Sequence, residues 1–412
     1  MSDQFTGQFT QQEPIAEEAI SRAIEILRSG RLHRYNTVGG EIGETAQLET
    51  EFRDYVGSRY CLAVTSGGYA LATALRAHGI SHGTPVLTNA FTLSPVPGAV
   101  VAVGGKPIFV ETTDDLVINL DDLQRKIESS GARVLLLSHM RGHIVDMDTL
   151  SAVCRGAGIT LIEDCAHTLG ASWNGVKSGR HGLAACYSTQ TYKHMNSGEG
   201  GLLISDDARF MARAIVLSGS YMLYGGHTAG PAANFYEDIR LELPNCSGRM
   251  DNLRAAILRP QLKQLDANCG RWNARYGVIE EEIGRAPCIK RIARSPREQF
   301  VGSSIQFRLP EFSSVALSDF LSRCAARGVE LKWFGASEPV GFTSDHRSWR
   351  FVEAQSLPQT DRVLAGLCDM RLPLTFSLED CRLIGRIIRE AALETLQGGA
   401  PAGSPMLQRE VS

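Results

Sequence analysis

Apolar residues recur along this chain in two rhythms. Near the N-terminus, "EEAISRAIEILRSG" sets Ile20, Ile24 and Leu27 at the spacing of one helix face, with Gly30 as a stop. "ETAQLETEFRDYVG" predicts a second helix ending at Gly57, while residues 1–14 carry no period and are expected to be frayed. From residue 60 onward, short apolar runs alternate with helical patterns. "YCLAVTS", "TPVLTNA", "KPIFVET", "ARVLLLSH", "ITLIEDC", "AACYST" and "GLLISDD" predict seven strands. "GYALATALRAHG", "NLDDLQRKIESSG" (capped by Asn119), "DMDTLSAVCRGAG" and "DARFMARAIVLSG" predict the helices among and after them. "ARVLLLSH" lacks polar alternation, as does a parallel strand covered on both faces. Strands alternating with helices imply an α/β domain built on a mostly parallel sheet.

Residues 217–248 are rich in Gly, Tyr, His and Pro and read as a long loop. A long helix containing Pro260 begins near Met250. The pattern then changes: "SSIQFRLPE", "ALSDFLSRCAARG", "VELKWF" and "SLEDCRLIGRIIREAALETL" predict strand, helix, strand and helix. The expected organisation is a large α/β domain over 1–285 with a seven-stranded sheet, a small C-terminal α+β domain over 286–396, and a disordered tail over 397–412.

Composition narrows the class. Of 412 residues, 43% are hydrophobic and 21% charged, ordinary for a globular protein. A net charge of −3 offers no basis for binding nucleic acid or an anionic membrane. The nearest approach to a membrane span, "LSPVPGAVVAVGG", is short and broken by Pro95, Pro97 and Gly98. "MSDQFTGQFTQQEP" has no basic or apolar signal region, so no secretory signal is expected. The ten cysteines form no CxxC pair and no Cys/His cluster of zinc spacing, and read as reduced, buried thiols of a cytoplasmic protein. Lysine is scarce, 7 against 35 arginines, yet Lys193 sits in the glycine-rich turn "STQTYKHMNSGEGG". A lysine amine, unlike a guanidinium, can lose its proton and act as a nucleophile.

In open α/β sheets, ligands gather at the carboxyl ends of the strands. After the first strand, Ser66, Gly67 and Gly68 open a helix: the turn reads equally as an anion cradle and as a simple cap. After "ITLIE", Asp164 and His167 read equally as a cap with a surface histidine and as partners for a cationic ring nitrogen. After "AACYS" come Ser188, then Lys193 and glycines that admit close backbone approach. A phosphate cradle, a carboxylate and a lysine are together the parts that hold pyridoxal 5'-phosphate. Nucleotide-binding alternatives lack their signatures, since neither GxGxxG after the first strand nor GxxxxGK[ST] occurs.

From about Gly30 to Ala392 the chain resembles the DegT/StrS-type sugar aminotransferases, fold type I pyridoxal-phosphate enzymes. The resemblance rests on "VTSGGYAL", "NAFTLSPVPGAV", "GGKPIFVET", "SHMRGHIVDMD", "LIEDCAHTLGASWNG", "STQTYKHMNSGEGG", "SGRMDNLRAAILRPQL" and "RLPLTF", in that order. It implies that Lys193 binds the cofactor carbonyl and Asp164 its ring nitrogen, that His167 lies near its ring and phenolic oxygen, and that Ser188 with Gly67 and Gly68 binds its phosphate. Three departures stand out. Gly68 replaces the common Thr; Leu93 replaces a stacking aromatic, with Phe91 as a possible substitute; and Ser247 replaces an Asn, with Asn245 close by. The segment before Arg249 matches one that reaches a neighbouring subunit's cofactor, which implies a homodimer with its active site at the subunit interface. Relatives that dehydrate sugars carry histidine in place of the lysine, so transamination from a Glu or Gln donor to a ketone of a sugar, cyclitol or related small molecule is implied. Elimination chemistry and a non-catalytic cofactor-binding regulator are the alternatives, and a mere binder needs no proton-transfer lysine. Tyr35, Arg141, His143, Tyr221, Tyr224 and His227 are candidate substrate contacts, each readable also as a loop or interface residue.

Overall fold

The computed structural model describes residues 3–342 and 345–398. Helices α1 (Glu17–Ser29) and α2 (Glu44–Val56) each end at a left-handed glycine, Gly30 (φ 69°) and Gly57 (φ 77°). There follow β1 (Tyr60–Val64), α3 (Gly67–His78), β2 (Pro85–Asn89), α4 (Pro95–Ala102), β3 (Lys106–Val110), α5 (Leu120–Ser130), β4 (Val134–Ser138), α6 (Met147–Ala157) and β5 (Thr160–Asp164). A short ribbon, β6 (Ser172–Trp173) and β7 (Val176–Lys177), precedes β8 (Ala184–Ser188), β9 (Gly201–Ser205) and α7 (Ala208–Ser218). All seven expected strands join one sheet in the order β1-β9-β8-β5-β4-β2-β3. Pairings from β8 through β3 are parallel, and β9 alone runs antiparallel to both its neighbours.

Alternation along β4 shows why its run is apolar throughout. Leu135 and Leu137 enter a core shared with α2, α5 and α6, while Val134 and Leu136 enter the opposite core shared with α3 and α7. Each such side chain contributes about 1.5–3 kcal/mol by leaving water. α8 (Asn252–Ile283) runs on through Pro260 and serves two cores. Leu258 and Leu265 pack under the large sheet, and Tyr276, Ile279 and Ile283 pack in a third core. That third core belongs to the antiparallel sheet β10-β12-β14-β13, formed by β10 (Lys290–Arg291), β12 (Ser304–Arg308), β13 (Lys332–Trp333) and β14 (Leu367–Arg371). Helices α9 (Ser314–Ala326), α10 (Pro358–Ala365) and α11 (Leu378–Gly398) accompany it, while β11 (Glu298–Gln299) pairs with β6.

Several expectations change. Residues 3–14, the described part of the end expected to be frayed, are packed: Phe5 and Phe9 are buried in the third core, edge-on to Phe376. On α1 the buried positions are Ala19 and Ile26, whereas Ile24 and Leu27 are 40% and 56% exposed. The proline-broken run near Pro95 forms α4, because a first helical turn needs no intrahelical amide donor. α10 and β14 had no counterpart in the pattern. The tail expected from residue 397 begins inside α11, and beyond Gly398 it lies outside the described residues.

Candidate active site

Because β2, β3, β4, β5 and β8 run in parallel, the residues that follow them collect at one edge of the sheet. There a cleft of ≈ 340 Å³ is lined by Ser66, Gly67, Gly68, Leu93, Asp164, His167, Ser188 and Lys193, among others.

Its floor is a close meeting of backbones. Ser66 caps α3, its Oγ accepting from the Tyr69 amide at 3.0 Å. The Gly67 and Gly68 amides lie in the first turn, where N–H groups lack partners within the helix and the dipole favours an anion. The cap and cradle readings of this turn therefore coexist. A Cβ on Gly67 would lie 2.8 Å from that of Ser188, and one on Gly201 only 2.4 Å from the Ser66 carbonyl.

Asp164 ends β5, nearly buried. Its Oδ2 accepts from Ser138 Oγ at 2.8 Å, and its Oδ1 from the Ala166 amide at 3.1 Å. Ser138 Oγ accepts in turn from Thr92 Oγ1 at 2.8 Å, and Asn89 ties the same strand end through both backbone groups of Ser138. This chain from β2 through β4 to β5 fixes the carboxylate, and the sequence reading did not find it. Glu163, one residue earlier, faces the other side of the sheet. Burial opposes its charge, but hydrogen bonds from His139 and His181 outweigh that and hold its carboxyl far below the usual range.

Lys193 Nζ donates to His167 Nε2 at 2.8 Å. Burial, aided by the charges of Arg141 and Arg371 and opposed by Asp164, lowers the lysine to about 7. Burial foremost, then the Lys193 charge, pushes His167 well below its ordinary value, which favours a neutral imidazole able to accept at Nε2 in its Nδ1–H tautomer.

The remaining candidates scatter. Leu93 lines the cleft, but Phe91 is fully buried edge-on to Phe334, so it does not supply the missing aromatic face. Arg141 is buried with Nη2 2.6 Å from Asp369 Oδ2. His143 is buried against Gln306 at 2.8 Å, away from the cleft lining. Tyr35 Oη lies 2.6 Å from His227 Nε2, and His227 Nδ1 lies 3.1 Å from Arg34, whose guanidinium pairs with buried Glu49. Tyr224 stacks on Tyr236 at 4.0 Å. Asn245 Oδ1 accepts from the Ser247 amide and hydroxyl, both residues exposed, and Tyr221 lies beneath Arg249 at 4.8 Å. This last group stands beside α3, since the Thr65 amide donates to the Gly248 carbonyl at 2.9 Å, but it does not line the cleft within one chain. Arg371, which opens the "RLPLTF" landmark but was given no role there, lies over the ring of Tyr192 at 3.8 Å.

The donor set fits pyridoxal phosphate: a glycine floor that a Cβ would fill, a held carboxylate, and a buried amine able to lose its proton.

Comparison with known proteins agrees. The model of the DegT/DnrJ/EryC1/StrS aminotransferase family matches residues 13–388. The L-glutamine:2-deoxy-scyllo-inosose aminotransferase of Streptomyces fradiae is 29% identical over 304 residues, 72% of this chain and 70% of that protein. The GDP-perosamine synthase of Vibrio cholerae is 30% identical over 221 residues, 53% of this chain and 57% of that protein. The chain thus spans well short of the full length of these relatives. Among solved structures, the aminotransferase TlmJ from Streptoalloteichus hindustanus superposes with a TM-score of 0.79 at 18% identity, covering 94% of this chain and 98% of that one. The aminotransferase from Psychrobacter cryohalolentis gives 0.80 at 18%, covering 94% and 100%. At such identities these structures attest to the fold, that of fold type I, and the sequence match carries the rest. Running from before the first helix into the last, it means that the chain belongs to the DegT/DnrJ/EryC1/StrS aminotransferase family, enzymes dependent on pyridoxal phosphate.

Proposed function

We propose that this enzyme moves the amino group of glutamate or glutamine to the ketone of a sugar, a cyclitol or a related small molecule, in sugar or secondary-metabolite biosynthesis. The observation that carries this reading is the Lys193 amine, buried and lowered to about 7, beside the neutral His167. Such an amine takes and returns a proton near neutral pH. The printed names of two relatives support the substrate class: one acts on an inosose with glutamine as donor, the other makes GDP-perosamine.

Each residue then has a task. The Gly67 and Gly68 amides and the Ser188 hydroxyl would hold the cofactor phosphate, and Asp164 would hold the ring nitrogen in its protonated form. Leu93 would pack against the ring. When bound, pyridoxal phosphate supplies the carbonyl that receives the amino group and a ring that draws electrons from the donor's α-carbon. Lys193 Nζ would take the proton from that carbon and deliver it during exchange, while His167 keeps the amine aimed. A fold match alone would not choose this reaction, since a GDP-4-keto-6-deoxy-D-mannose-3-dehydratase from E. coli superposes with a TM-score of 0.79 at 16% identity. Lys193 itself favours transamination, since the resemblance implies histidine at this position in enzymes that dehydrate sugars.

The enzyme would act as a homodimer. Exposed Ile24, Leu27, Leu32, Val38 and Ile42 supply an apolar surface, and the Asn245–Ser247 segment would reach the partner's phosphate. Tyr35, Tyr221, Tyr224 and His227 would then border the shared site. No helix among the described residues is long and apolar enough to cross a membrane. The ten free cysteines, nine of them buried, suit the reducing cytoplasm.

Borohydride should fix the cofactor to the peptide that contains Lys193, and glutamate or glutamine should bleach the yellow enzyme. A protein that stays colourless with added cofactor would sink the proposal. A panel of ketones offered to the bleached enzyme identifies the acceptor.

A further inference from the structure

The residue after Lys193 is a buried histidine with both ring nitrogens engaged. His194 Nδ1 lies 2.7 Å from the Leu169 carbonyl, which can only accept, so Nδ1 carries the proton. Nε2, 2.8 Å from Ser303 Oγ, therefore accepts from that hydroxyl while the ring is neutral. Burial foremost lowers this imidazole to about 4, which keeps it neutral where the enzyme works. The ring packs against Trp272 at 5.1 Å, and Trp272 Nε1 donates to the Leu372 carbonyl at 3.0 Å. The Leu372 amide donates in turn to the Ser303 carbonyl at 2.9 Å.

The partners of His194 matter by their places in the fold. Leu169 stands two residues after His167, which holds the Lys193 amine. Ser303 immediately precedes β12 of the small sheet. One imidazole thus joins the lysine turn, the turn that carries His167 and the small sheet. A lysine amine sits on a long, flexible stem, so it is aimed only as well as its backbone is anchored. We infer that His194 is a positioning residue for Lys193, and that its bond to Ser303 docks the lysine turn on the small sheet. This rests on the reading of Lys193 as the proton carrier. His194 does not line the cleft, so it acts through its neighbour alone.

Three variants test this. Ser303→Ala removes the hydroxyl, Ser303→Thr keeps it, and His194→Asn can still donate to Leu169 but is too short for Ser303. The first readout is the pH midpoint at which trinitrobenzenesulfonate labels Lys193 in the apo-protein. It should rise by about one pH unit in Ser303→Ala and His194→Asn, because a loosened turn returns water to the amine. The groups whose charge or hydrogen bond acts on that amine, Asp164, Arg141, Arg371 and His167, are left in place. Ser303→Thr should keep the wild-type midpoint. The second readout is bleaching of cofactor-loaded enzyme by L-glutamate or L-glutamine. Its limiting rate should fall about 10- to 100-fold in Ser303→Ala, while the half-saturating donor concentration changes less than about threefold, since aim is lost and donor binding is not. A Ser303→Ala protein that keeps the wild-type midpoint, even if it unfolds more easily, overturns the inference, as do equal losses in the alanine and threonine variants. A wild-type enzyme labelled by cofactor at Lys193 but unbleached by both donors would instead overturn the donor reading, and the apo midpoints would still judge His194.

Discussion

Lys193 Nζ and His167 Nε2 lie 2.8 Å apart, and the same loss of water depresses the protonation of both groups. The pair is an amine poised to lose its proton against an imidazole that has already lost it. The apo-protein amine should therefore react with trinitrobenzenesulfonate at Lys193 with a midpoint near pH 7, far below an ordinary lysine at 10.5. Peptide mapping against pH reads this directly. The sign for stability follows. Between about 7 and 10.5 the unfolded chain holds more protons than the folded one, so this group's unfavourable contribution is full below 7 and fades as pH rises. Apo Lys193→Met should be more stable than wild type at pH 6, and the gap should close toward pH 10 in denaturant unfolding.

Asp164 works against that depression, since its negative charge raises the lysine. Asp164→Asn keeps one acceptor for the Ala166 amide and turns an N–H donor toward Ser138 Oγ, whose hydroxyl can accept instead, so the fold should persist. The Lys193 labelling midpoint should fall further below 7, and turnover should drop by about 100-fold or more, because the charge proposed to hold the ring nitrogen protonated is gone. A midpoint that rises would contradict the assignment of Asp164.

Two glycines make a paired test of the floor. Gly67→Ala forces a Cβ to within 2.8 Å of Ser188, so the ends of β1 and β8 must part. It should cost about 1–3 kcal/mol and weaken cofactor retention, measured by unfolding and by dialysis. Gly98→Ala, inside α4 with nothing within 4 Å, should instead stabilise by about 0.5–1 kcal/mol and leave the cofactor in place.

The N-terminal segment is a structural part. Phe5 is 4% exposed and lies edge-on to Phe376 at 5.0 Å. Phe5→Ala should destabilise by about 3 kcal/mol, visible in the denaturation midpoint. A frayed segment would show no change.

Local rules reach a long way in this chain. The seven strands, the glycine stops at Gly30 and Gly57 and the Asn119 cap each depend on a few neighbouring residues, and all were readable. Ser66, Gly67, Gly68, Asp164, His167, Ser188 and Lys193 were readable as one site because parallel strands must end on one side. α4 escaped because an all-apolar run with two prolines shows no period, and β14 because its buried Asp369 and partly buried Arg371 look like surface residues.

By itself, the sequence determined where strands and helices form and which residues arrive at the carboxyl edge, since periodicity, caps and strand direction are properties of short segments. Only the tertiary structure decided the partners of charges far apart in the chain. Arg141 is bound by Asp369, 228 residues away, which leaves Arg371 beside Lys193 without a carboxylate among the described residues. It also decided that the amine is lowered, since that depends on how much water the packed cleft excludes. Both are matters of desolvation and long-range pairing, which no stretch of neighbouring residues encodes.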